Sequence, residues 1–158
     1  MNKTLTFILA VVAAATFGCG RSKTYEGADG AVTVSQDGDT ANYEVKTKDG
    51  SAKLAISDSK VEIPDTFPKD VPIPKGAVPK LTMTQGKNEM LHLRVTGSIA
   101  EVAKDYQDKL KAEGWEIETT MNMGESSMVH AKKGERSCAV MVTKDDDGTL
   151  VQLTVSEQ

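Results

Sequence analysis

All five prolines of this 158-residue chain fall between Pro64 and Pro79. A proline ring fixes φ and removes a backbone donor, so this stretch can be neither a helix nor an interior strand. It reads as an extended, polyproline-like strap over residues 64–79 that divides the chain in two. Phe67, Val71, Ile73 and Val78 are apolar. That predicts a strap lying against a folded body rather than a free linker.

Residues 31–63, ahead of the strap, alternate with the period of strands: Val32/Val34, Tyr43/Val45, Leu54/Ile56, Val61/Ile63. Asp37-Gly38 and Asp49-Gly50 stand between these pairs and read as hairpin turns. The result is a small meander with one apolar face, too small to enclose a core alone. Residues 20–30 lack periodicity and are expected to form a tether.

Residues 80–158 carry a different pattern. Leu81-Met83 and Leu91-Leu93-Val95 are strand-like. Ser98 and Glu101 then form a capping box that opens a helix running to about Glu113, with Gly114 as its stop. Ile99, Val102, Ala103, Tyr106 and Leu110 share one face of that helix. Strands are expected over 115–123, 128–132, 138–143 and 150–155. The predicted fold class is α+β: a bent antiparallel sheet with the helix on one face. The strap and the N-terminal meander are expected to cover the other face.

Lys3 followed by the apolar run Leu5–Ala15 has the form of a secretory signal. The run is shorter than the ~20 apolar residues that span a bilayer. Ala15-Thr16-Phe17-Gly18-Cys19 resembles the lipobox of bacterial lipoproteins, although Thr16 stands where that pattern has an aliphatic residue. The resemblance implies cleavage after residue 18 and acylation of Cys19. Residues 1–18 would be the signal peptide and 19–30 the lipid-anchored tether. Gly20, where an Asp would mark inner-membrane retention, implies an outer-membrane address facing the periplasm. A second resemblance rests on Phe67-Pro68-Lys69-Asp70-Val71-Pro72, Lys75-Gly76-Ala77, and Tyr106, Leu110 and Gly114-Trp115. It is similar to an exported bacterial module of unknown function, with a proline-rich lead-in and a helix ending in Gly-Trp. This likeness implies a fold and an address, and no site residues.

Loss of Lys3 with the signal leaves 18 basic against 23 acidic residues, a net charge of −5. A chain without basic surplus is not expected to bind nucleic acid. With Cys19 acylated, Cys138 has no partner for an internal disulfide. Its alternation with Val140 and Val142 predicts a buried, inert thiol.

Ser57-Asp58-Ser59-Lys60 matches the S-x-x-K of penicillin-recognising enzymes, without the K-T-G strand that chemistry needs. Asp145-Asp146-Asp147-Gly148 has neither the length nor the closing Glu of a calcium loop, and reads as a polar turn. No nucleophile–base pair is evident, no cofactor is expected, and the chain is read as non-enzymatic. One softer constellation remains. Alternation puts Met90 and His92, Met128 and His130, and Met141 on the sheet face away from the helix, and thioether with imidazole suits Cu(I). His92, His130, Met128 and Met141 are the candidate soft-metal ligands, and the competing reading is that methionines fill gaps beneath the covering meander. The function expected from the sequence is therefore a membrane-tethered envelope protein that binds a protein, glycan or lipid. Copper handling and a divergent envelope enzyme are the alternatives.

Overall fold

The computed structural model describes residues 22–146 and 148–157. Four strands precede the strap: β1 (Lys23–Gly27), β2 (Gly30–Asp37), β3 (Thr40–Thr47) and β4 (Gly50–Ser57). After it come β5 (Val78–Gln85), β6 (Asn88–Val95) and the helix α1 (Ile99–Ala112). The chain closes with β7 (Glu116–Asn122), β8 (Ser126–Lys133), β9 (Arg136–Asp145) and β10 (Gly148–Glu157). All ten strands form one antiparallel sheet in the order β1-β2-β3-β4-β5-β6-β10-β9-β8-β7.

The fold is thus mostly β, and the α+β expectation is corrected. The N-terminal meander does not lie across the sheet. It extends it, because β4 pairs with β5 from Ile56↔Leu81 to Ala52↔Gln85. Edge-to-edge pairing satisfies the backbone donors and acceptors of both strands, which a face-on cover would leave open. Residues 23–27, expected in the tether, pair with β2 from Lys23↔Val34 to Gly27↔Gly30. Val61 and Ile63 lie outside any strand, and the Val61 N–H donates to the Pro79 carbonyl at 2.9 Å.

The strap also takes a different side from the one expected. Phe67 and Val71 are buried in the same cluster as Tyr106 and Leu110 of α1, Trp115, and Leu91 and Leu93 of β6. Strap and helix therefore cover the same sheet face. The dimensions explain this. A helix of 14 residues is ~21 Å long, whereas ten strands at ~4.8 Å spacing make a sheet more than twice as wide. α1 rests on β7, β8 and β9, and the strap covers buried surface beside it. The Trp115 indole N–H fixes the junction by donating to the Asp70 carbonyl at 2.8 Å.

Helix α1 ends where the local chemistry dictates. The Ser98 hydroxyl accepts from the Glu101 N–H, and the Glu101 carboxylate accepts from the Ser98 N–H at 3.0 Å. At the other end Gly114 takes φ +82°, which lets the Trp115 N–H reach back to the Leu110 carbonyl at 2.9 Å. Trp115 itself is buried.

Candidate functional site

The sheet has two unlike faces, and cross-strand register defines both. On the helix side Leu91, Leu93, Val140, Val142, Val151 and Leu153 are fully buried. Further along that side the N-terminal strands present Thr33, Glu44 and Lys53, paired in one row that continues to Thr84 and Glu89. Glu89 is buried and accepts from the hydroxyls of Thr66 and Thr84, each at 2.7 Å.

The opposite face is built from three parallel rows. The first runs Ile56–Leu81–His92–Gln152–Met141–Met128–Met121, each residue directly opposite the next across β4, β5, β6, β10, β9, β8 and β7. Two residues along, Val34–Tyr43–Leu54–Met83–Met90 continues into Thr154–Ala139–His130. A third row, Tyr25–Val32–Val45–Ala52, covers the meander end. None of these positions holds Asp, Glu, Lys or Arg, but charged groups border them on the same face: Lys23 opposite Val34, the Arg94–Asp145 pair, and Glu118 beside His130. Among the described residues the helix and the strap pack on the other side. Ile56, Met121 and Met141 are 44%, 41% and 40% exposed.

The four sequence candidates for soft-metal ligation all fall on this open face, but they do not form one cluster. Met128 and Met141 are directly opposed, and Met121 flanks Met128 on its other side. His92 is separated from Met141 by the whole of β10, with Gln152 between them. His130 lies in the neighbouring row and its Nδ1 is 3.0 Å from Glu118 Oε2. Among the described residues no three His, Cys, Asp or Glu side chains are grouped to hold a metal ion. Burial lowers the His92 pKa below its ordinary value, against an opposing hydrogen bond from Gln152. The His92 Nε2 is buried without a partner.

Other sequence candidates resolve simply. Cys138 is fully buried, and burial pushes its thiol up to about 12. Ser57 ends β4 with its hydroxyl 3.1 Å from that of Ser59. Asp145 is held by Arg94 at 2.9 Å across β10. Asp147 and Cys19 lie outside the described residues.

The interior between helix and sheet is filled. Tyr106, Leu110 and Trp115 are at most 2% exposed, and the concavities beside the strap, about 380 and 210 Å³, are open surface hollows. Of the exposed large hydrophobic residues, Tyr25, Ile56, Met121 and Met141 lie on the row-built sheet face. With that geometry in view, one comparison bears on it. A family model described as START domain-like matches residues 78–148, from β5 to the first residue of β10. The match points to a ligand-binding domain. It covers less than half of the chain. No curated protein and no solved structure matches this chain.

Proposed function

We propose that this protein is an acylated bacterial envelope protein that binds a lipophilic partner on the open face of its sheet. The observation that carries the reading is that face itself: in-register rows rich in aliphatic and thioether side chains, among which Ile56, Met121 and Met141 stand exposed. Such a surface gains free energy when covered, at roughly 25 cal/mol per Å² of apolar area. The partial match to START domain-like chains supports a lipophilic ligand, since such domains bind small lipophilic molecules. The face offers no nucleophile beside a base, which favours binding over catalysis. The lipobox-like Ala15–Cys19 supports acylation at Cys19 and an envelope address, with the outer membrane favoured by Gly20. No helix among the described residues is long and apolar enough to cross a membrane.

The test is titration of a fluorescent fatty-acid analogue into the processed chain. Ile56→Lys and Met141→Lys place an ammonium on the face and should each weaken binding by roughly tenfold or more. The melting temperature should stay near that of wild type. Binding that ignores both substitutions would place the ligand elsewhere. For the anchor, metabolic labelling with a radioactive fatty acid should mark the wild type and not Cys19→Ala.

A second reading follows from the register of Met121, Met128 and Met141, since three adjacent thioethers suit a soft cation such as Cu(I). Changing all three to Leu keeps apolar volume and removes sulfur. The metal reading expects Cu(I) binding to vanish while fatty-acid binding persists.

A further inference from the structure

We propose that the occupant of the open face is the acyl boundary of a lipid bilayer, against which the side of the sheet carrying the exposed Ile56, Met121 and Met141 packs. The inference rests on the lipophilic reading above and names the form the lipid takes. Its first support is the point at which the described chain begins. Only residues 20–22 separate Cys19 from β1, a reach of at most ~14 Å for an extended chain. An acyl group on Cys19 would therefore hold the β1 edge of the sheet within that distance of the bilayer surface.

Two further features fit a planar lipid surface better than a single ligand in a pocket. The face is spread over adjacent strands as rows. Tyr25 and Tyr43 lie on it at the meander end, and an aromatic ring with a polar tip is suited to the depth of the headgroups. The other side of the sheet cannot take this role. It carries α1 and the strap at one end, and Glu44 and Lys53 at the other. The sheet is amphipathic through its thickness, as an interfacial helix is around its circumference.

Flotation of the processed chain from residue 20 with phosphatidylcholine vesicles tests this without the acyl anchor. That chain contains every described element. The wild type should float. Ile56→Lys/Met141→Lys should lower the floated fraction roughly tenfold with the melting temperature kept, and Lys53→Gln on the opposite face should leave it unchanged. If the chain binds the monomeric fatty-acid analogue but ignores vesicles, the inference is overturned and the lipophilic reading stands. If it binds neither, both fail. If it is a dimer in solution that Ile56→Lys converts to monomer, the face is occupied by a second copy and the bilayer assignment is wrong.

Discussion

Asp70 ties the strap to both the helix end and the sheet. Its carboxylate accepts two hydrogen bonds from Arg136, at 2.9 and 2.6 Å, and one from Lys133 at 2.7 Å. Lys133 also donates to the Glu113 carbonyl at the C-terminus of α1, where a cation is favoured. Arg136 lies 5.0 Å from the Trp115 ring centre and so stacks the same junction. The Arg136 hydrogen bond, with Lys133 behind it, holds Asp70 well below the usual carboxylate range. A depressed folded-state pKa means stability that is present above the unfolded value near 4 and lost as pH falls below it. Asp70→Asn should therefore cost about 1–2 kcal/mol at pH 7. Its deficit against wild type should shrink as thermal melts are taken from about pH 5 towards pH 2. A deficit constant over that range would remove the ion pairs from the account. Cys138 gives a simpler check. With its thiol at about 12 and no exposed surface, it should resist maleimide in the native chain and react on denaturation.

At the scale of elements, Gly30 opens β2 with its Cα hydrogen against β3. A Cβ there would stand 2.1 Å from the Lys46 carbonyl oxygen, and the backbone φ is +156°. Gly30→Ala must push β2 away from β3, at about 1–3 kcal/mol. Faster amide exchange in β1–β3, with β8–β10 unaffected, is the expected signature. Local features of the elements were legible in the chain. Ser98/Glu101 and Gly114 bound α1 because caps act through neighbouring residues. The turns after Asp37 and Thr47 and the alternation of β2 to β4 were equally visible. What alternation cannot say is how an apolar strand face is satisfied, since covering another layer and extending a sheet edge produce the same pattern. The meander's placement depended on β4 meeting β5 across the strap. The strap's side depended on Asp70 meeting Arg136, 66 residues away. Neither contact has a local signal.

At the scale of the molecule, these two placements leave the methionine face open. Met128 and Met141 could be assigned to one face from their strands alone. Their direct opposition, the separation of His92 by β10 and the lack of a cover followed only from the strand order. A ten-stranded sheet with helix and strap on one side and methionine-lined rows on the other is complete in its backbone, yet leaves Ile56, Met121 and Met141 exposed. That imbalance is the central claim: the face is a binding surface for lipid. Methionine oxidation reads it most directly, because a sulfoxide forms only where peroxide reaches sulfur and then turns the side chain polar. Peptide mapping after peroxide treatment should find Met121 and Met141 oxidised readily in the free folded chain. Both should be protected roughly tenfold at saturating lipid, and the oxidised chain should no longer bind. Equal oxidation rates with and without bound lipid, or full lipid binding by the oxidised chain, would contradict it.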